Sequence, residues 1–261
     1  MRISLIVTTY NRPDALLLVL KTIKNQRVKP FEVIIADDGS DNLTKQVIDD
    51  FSLATELNII HSYQEDNGFR VSESRNKAIS IANGEYIILV DGDMLLHREF
   101  VNDHAENAQN GFYIQGSRVL MSSIKTLEVL KTKKIIFNFF EMGLKNRLNS
   151  IHSGFLSKIF TNQSKQLKGV RTCNMSFFKK NCIEVNGFNT EFKGWGREDS
   201  EFVVRLFNYG VNRKTIKFAA VQHHLWHKES NRNLLNENDQ LLHKAIHENL
   251  KWCKHGINQF L

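Results

Sequence analysis

Residues 85–97 read EYIILVDGDMLLH, an apolar run from Tyr86 to Val90 followed by Asp91 and Asp93 with one glycine between them. An uninterrupted apolar run with Asn83-Gly84 before it and a turn signal after it predicts a short strand buried on both faces. Working outward, Ile3–Thr8, Phe31–Ala36 and Leu57–Ser62 read as strands of the same kind. Helical patterns fall between them. One is capped by Asn11 with Pro13 in its first turn and continues through ALLLVLKTIKNQ, one covers Thr44–Phe51, and one covers Ser72–Ala82. Strands alternating with helices predict an α/β domain whose mostly parallel central sheet is flanked by helices on both faces.

In such sheets the ligand crevice lies beyond the carboxyl ends of the strands, where Asp37, Asp38, Asp91 and Asp93 all emerge. Two carboxylates two residues apart, on a turn where Gly92 permits close backbone approach, suit a hard divalent cation that also holds a diphosphate. The plainer alternative is a strand-terminating turn, in which Asp and Gly are common. For Asp37 the corresponding alternative is capping of its own loop.

With 261 residues, 41% of them hydrophobic, the chain can build one sizeable core or two small ones. Cys173, Cys182 and Cys253 form no CxxC pair, which argues against a disulfide framework or a thiolate zinc site and for a reducing compartment. The opening MRISLIVTTYN runs directly into a strand, and no stretch has the roughly 18 apolar residues of a membrane span. The expected location is cytoplasmic, with attachment at most to the inner membrane surface. The net charge of +7 is concentrated: residues 121–168 hold nine Lys and Arg against two Glu. Nucleic acid is not the expected partner, because this cluster carries no reader motif and acidic strand ends repel phosphate.

TTYNRP, ADDGS, NGFRVSESRNKAI, YIILVDGDM and GWGREDSEF occur here in one order. Together they resemble the inverting family 2 glycosyltransferases of the GT-A fold. The last stretch is similar to the carboxy-terminal part of β-1,4-galactosyltransferases and of bacterial chondroitin-polymerase-type enzymes. The resemblance covers about residues 1–118 and 170–230. It implies a UDP-sugar donor bound by residues 1–118 and an acceptor, a saccharide or lipid-linked glycan, bound by residues 170–261. Residues 119–169 form a basic helical insertion between them.

By the same resemblance, Thr8, Tyr10, Asn11 and Arg12 belong to the loop that holds the nucleoside, and Asp38 contacts uracil or ribose. Arg75 lies near the nucleotide, with Asp91 and Gly92 at the diphosphate. Carboxylate and amide groups satisfy base and ribose donors, and a guanidinium neutralises phosphate. The alternative for Arg75 is a surface ion pair with Glu73 or Asp66. In GWGRED, Asp199 is implied as the catalytic base and Glu198 as an acceptor-binding residue. Both sit at a predicted helix start, where the dipole favours anions and keeps a carboxylate ionised, although ordinary first-turn residues look the same. Trp195, between two glycines, suits a loop presenting a flat apolar face to a sugar. Retaining relatives carry a WGxEN stretch, so Asp at position 199 implies inversion. A retaining GT-A transferase stands as the alternative, and a nucleotidylyltransferase behind it, since neither a P-loop nor a basic glycine-rich loop is present.

AVQHHLWHKES follows a strand-like run, Lys217–Val221. The resemblance implies that a histidine here completes the metal site begun by Asp93, with His227 favoured and His224 next, for Mn²⁺ or Mg²⁺. Imidazole suits Mn²⁺ beside carboxylate and phosphate oxygens. His223 is expected to hydrogen-bond to backbone instead. Residues 122–168 match no family pattern. They read as two helical pieces, TLEVLKTKKIIFNFFEMGLKNRL and SGFLSKIF, serving either as a flap packed on the core or as a basic amphipathic surface in peripheral contact with an anionic membrane. The tail reads as one amphipathic helix burying Leu241, Leu242, Ile246, Leu250 and Trp252.

Overall fold

A computed structural model of the chain describes residues 1–228 and 231–261. Its amino-terminal half alternates β1 (Ile3–Thr9), α1 (Pro13–Lys24), β2 (Glu32–Asp37), α2 (Asn42–Leu53), β3 (Ile59–Tyr63), α3 (Val71–Ile81) and β4 (Tyr86–Asp91). There follow β5 (Met94–Leu96), α4 (Phe100–Asn107), β6 (Phe112–Gln115), β7 (Val119–Met121), α5 (Ser123–Thr132), β8 (Leu144–Lys145), α6 (Gly154–Phe160) and β9 (Asn162–Ser164). The chain closes with β10 (Asn174–Phe178), α7 (Lys179–Glu184), α8 (Glu198–Tyr209), β11 (Asn212–Thr215), β12 (Gln222–His224) and α9 (Leu235–His247).

The main sheet has the order β3-β2-β1-β4-β10-β6-β11-β9. Its first four strands are parallel, and β10 runs antiparallel to β4 and to β6. Alternation along β1 explains the two-sided core. Leu5 and Val7 pack with Leu16, Val19 and Leu20 of α1, while Ile6 faces Ala78 and Ile79 of α3 and Phe202 of α8. Every one of these side chains is fully buried, so truncating one to alanine costs about 2–5 kcal/mol. A second sheet, β5-β12-β7-β8, stands beyond the carboxyl end of β4.

Several local expectations are corrected. Asn11 does not cap α1; it adopts φ 47°, donates its N–H to Ser40 Oγ and accepts the Asp41 N–H on Oδ1. Lys217–Val221 is not a strand. Phe218 and Ala220 take left-handed φ of 57° and 46°, and distant groups hold them there. The Ala220 N–H donates to Asp103 Oδ2 at 2.7 Å, and Asn174 Nδ2 donates to the Ala220 carbonyl at 2.9 Å. The long insertion helix stops at Thr132, because Lys133 enters the left-handed region at φ 57° and residues 134–143 run without helix. In the tail, Leu242 is buried and Leu241 and Leu250 half-buried, but Ile246 and Trp252 are exposed.

Candidate active site

Parallel pairing in register sets Thr8 of β1 beside Asp91 of β4 and Thr9 beside Asp37 of β2, so the strand ends share one rim. At this rim the Gly92 N–H donates to the Thr8 carbonyl at 2.7 Å. A Cβ on Gly92 would lie 3.0 Å from that oxygen and 3.0 Å from Thr9 Oγ1, which is the close approach that glycine permits. Next, β5 pairs with β12 so that His224 stands opposite Met94, and the Leu225 N–H donates to the Asp93 carbonyl. Two segments 130 residues apart thereby bring imidazoles to the second aspartate.

Asp93 Oδ2 lies 3.4 Å from His224 Nε2, 3.4 Å from His227 Nε2 and 3.2 Å from Arg12 Nη1. Its other oxygen, Oδ1, is buried without a hydrogen-bond partner. Burial pushes the Asp93 carboxyl up, but His224, His227 and Arg12 together outweigh it and hold the group below the usual carboxylate range. One ligand atom from each of Asp93, His224 and His227 falls within 4.8 Å of the others. A carboxylate with an unused oxygen and two imidazoles fits a divalent cation such as Mn²⁺. Asp91 differs from its neighbour: burial raises it, and the Asp93 charge adds to that against the pull of Arg75, His224 and Arg118.

Arg75 is 4% exposed and is not the surface ion pair considered for it; Glu73 is taken by Arg70 and Lys77. From α3 its guanidinium reaches Glu198 Oε1 at 3.2 Å and Asp91 Oδ1 at 3.6 Å. The Phe188 ring supports it from below at 5.5 Å, and Asn76 ties α3 to the Phe188 backbone through both its amide atoms. Burial raises both Asp38 and Asp199, and the same positive charge pulls against that rise without cancelling it.

Glu198 opens α8 after a loop in which Gly194, Gly196 and Arg197 all have positive φ. Asp199 Oδ1 accepts the Ser200 N–H at 2.7 Å. The helix start is not the main influence on the Asp199 carboxyl. Burial pushes its carboxyl well above the ordinary range, and the adjacent Glu198 carboxylate pushes it further. Glu198 occupies Arg75, and Asp199 is left as the acid of the pair that more readily holds a proton.

On the nucleoside side, the Tyr10 hydroxyl donates to Asp66 Oδ2 at 2.9 Å, and the tyrosine is half exposed. Thr8 Oγ1 is buried without a partner. Asp38 is buried; its Oδ1 accepts from Gln64 Nε2 and its Oδ2 from the Arg70 N–H, yet burial still raises it. Asp37 serves its loop, accepting the Ser40 N–H at 2.8 Å and facing His61 Nε2 at 2.9 Å. Trp195 exposes its ring on the loop before α8 and carries the Arg232 guanidinium over its face at 4.7 Å; no described contact joins it to the aspartates.

His223 does not bond to backbone as expected. It is buried against Phe137 at 4.9 Å, and burial pushes it down to about 4; it is His227 that uses Nδ1 on the Lys228 carbonyl. Sequence reading also passed over Arg118 and Asn174. Asn174 Nδ2 donates to the Ser117 and Ala220 carbonyls, fixing the turn that leads to Arg118, whose charge acts on Asp91. Neither sits in a local motif, so only the three-dimensional arrangement reveals them.

Residues 4–168 match Glycosyl transferase family 2, and residues 157–228 match the N-terminal domain of galactosyltransferase. The hyaluronan synthase of Pasteurella multocida is 30% identical over 237 residues, which cover 85% of this chain and 24% of that protein. The chondroitin synthase of Escherichia coli is 27% identical over 244 residues, covering 85% and 34%. The chain thus spans about a quarter to a third of the length of these relatives. A crystal structure of S. aureus TarS 1-349 in complex with UDP-GlcNAc superposes with a TM-score of 0.64 at 18% identity, covering 88% of this chain and 60% of that one. With its sheet order, strand-end acids and matched segments taken together, the chain belongs to glycosyl transferase family 2 and has the GT-A fold.

Proposed function

We propose that this chain moves a sugar from a UDP-sugar to a hydroxyl of a saccharide or lipid-linked glycan acceptor in surface polysaccharide synthesis, with inversion and with a divalent metal, Mn²⁺ or Mg²⁺. The observation that carries the reading is Arg75, which links Asp91 at the end of β4 to Glu198 at the start of α8. The acids assigned to donor and acceptor thereby meet at one buried cation. The synthase relatives support a polysaccharide product, and the UDP-GlcNAc complex of TarS supports a UDP donor.

In this reading residues 1–118 bind the donor, 170–261 bind the acceptor, and 119–169 are an insertion. Thr8, Tyr10, Asn11 and Arg12 hold the nucleoside, Asp38 takes base or ribose donors, and Arg75 with the Asp91-Gly92 turn faces the diphosphate. Asp93, His227 and His224 would hold the metal, which when bound supplies positive charge for the departing diphosphate. Asp199 acts as general base. As the acceptor oxygen bonds to the anomeric carbon, the bond from that carbon to the UDP oxygen breaks, and the acceptor proton passes to the Asp199 carboxylate. A raised carboxyl is a stronger base than an ordinary one once ionised. Glu198 and the Trp195 face orient the acceptor.

Incubation with a panel of UDP-sugars, acceptor oligosaccharides and Mn²⁺ tests this. UDP release and a β linkage by proton NMR from an α-linked donor are expected. An α linkage would overturn inversion, and pyrophosphate release would indicate nucleotidyl transfer.

A further inference from the structure

The insertion leaves large apolar side chains exposed on its outer side. On α5, Lys125, Thr126 and Val129 point inward, which leaves Ile124 and Leu127 outward at 79% and 68% exposure. The chain then returns as an extended stretch whose burial alternates residue by residue from Ile135 to Met142. Phe137 packs inward on His223, and Glu141 is pinned to Lys125 and Lys134. The residues flanking Glu141 are therefore turned outward, and Phe140 and Met142 are each 82% exposed. Because Glu141 Oε2 lies 2.9 Å from Lys125 Nζ, and Gly143 packs on Ser122 and Lys125, this stretch lies alongside α5. The backbone N–H of Trp226 donates to Thr126 Oγ1 at 2.8 Å, which sets this half-exposed tryptophan beside α5.

Scattered exposed apolar residues are ordinary, but large aliphatic and aromatic side chains gathered on neighbouring segments mark a surface that is covered by something. Charge identifies the occupant. The two acids of residues 121–168, Glu128 and Glu141, are both neutralised by lysines of the same segment, Lys125 and Lys134. Lys131, Lys133, Lys145 and Arg147 remain exposed, so the face is apolar at its centre and cationic beside it. We infer that the face formed by Ile124, Leu127, Phe140, Met142 and Trp226 docks on an anionic lipid bilayer surface, with those four basic residues engaging the headgroups. No helix among the described residues is long and apolar enough to cross a membrane, so docking would be peripheral. Trp226 lies one residue before His227, so a docked face would hold the rim of the site close to the headgroups.

Co-sedimentation with phosphatidylcholine vesicles, with and without phosphatidylglycerol, tests the inference on the chain as it is. Binding to the phosphatidylglycerol vesicles at low salt, weakened by added salt and absent from pure phosphatidylcholine, is expected. A Phe140→Ser/Met142→Ser variant and a Lys131→Glu/Lys133→Glu variant should each bind about tenfold more weakly or worse, with unchanged melting temperature, as these side chains are exposed. The inference falls if the protein stays unbound at low salt, if both vesicle types bind it equally, or if the variants bind like the parent. It falls equally if the chain forms a dimer without lipid and Phe140→Ser dissociates it, because the face would then be covered by a second copy. Only binding is read, so failure here leaves the transfer reading untouched.

Discussion

Arg75 Nη1 lies 3.2 Å from Glu198 Oε1, a pair 123 residues apart in sequence and almost closed to solvent. This contact fixes α3 against the start of α8 and sets the distance between the strand-end acids and the acids of the second half. Truncating one member of a buried pair leaves the other uncompensated. Arg75→Met should lower unfolding free energy by about 3–5 kcal/mol in urea titrations and abolish UDP binding, whereas Arg75→Lys should fold and bind UDP weakly.

Asp199→Asn should spare donor binding and lose turnover. Calorimetric UDP-sugar affinity within a factor of about two of the parent, with kcat down by about 10²–10⁴, is expected for loss of a general base.

The raised Asp199 carboxyl acts on both turnover and stability. Ionisation of the base is required for transfer, so the acid limb of kcat against pH should lie above the ordinary carboxylate range, and Glu198→Gln, which removes the neighbouring negative charge, should move it downward. Folding stability responds oppositely. A carboxyl whose folded value is raised contributes stability below its unfolded pKa, and that contribution is lost as pH rises through the folded value. Asp199→Asn should therefore melt higher than the parent at about pH 8, with the difference vanishing near about pH 3.

Asp93→Ala should remove the Mn²⁺-dependent part of the thermal shift seen with UDP. At metal concentrations of about 100 times Kd the parent should gain about 2.7 kcal/mol, and the variant close to none. His224→Ala and His227→Ala should each reduce that gain.

At Gly92 a methyl group meets the Thr8 carbonyl and Thr9 Oγ1 at 3.0 Å. Gly92→Ala should cost about 1–3 kcal/mol of stability by chemical denaturation, and more in UDP affinity than in acceptor affinity.

The parallel half of the sheet was legible because β1, β2 and β4 are buried on both faces and so carry continuous apolar runs, which end in polar residues where the crevice begins. Asp91 and Asp93 could be placed at a strand end from that pattern alone. The pairing of Arg12 with Asp93, 81 residues on, could not, because it depends on how β1 and β4 lie side by side. Phe218 and Ala220 look like strand residues locally, but Asp103, Asn174 and Ser153 capture their backbone groups and override that preference. The raised Asp199 carboxyl is hidden for a related reason: the helix start is visible in sequence, but the burial and the Glu198 charge that raise it are not. The helical spacing after Thr132 failed because a left-handed residue at Lys133 turns the chain back along α5.

Anomalous diffraction at the manganese edge, from crystals grown with UDP and Mn²⁺, would locate the metal directly. One strong peak is expected among Asp93, His224 and His227, next to the UDP phosphates, with Arg75 close by and Asp199 facing the space where the sugar would sit. Manganese elsewhere, or UDP bound away from the Asp91–Asp93 turn, would contradict this assignment.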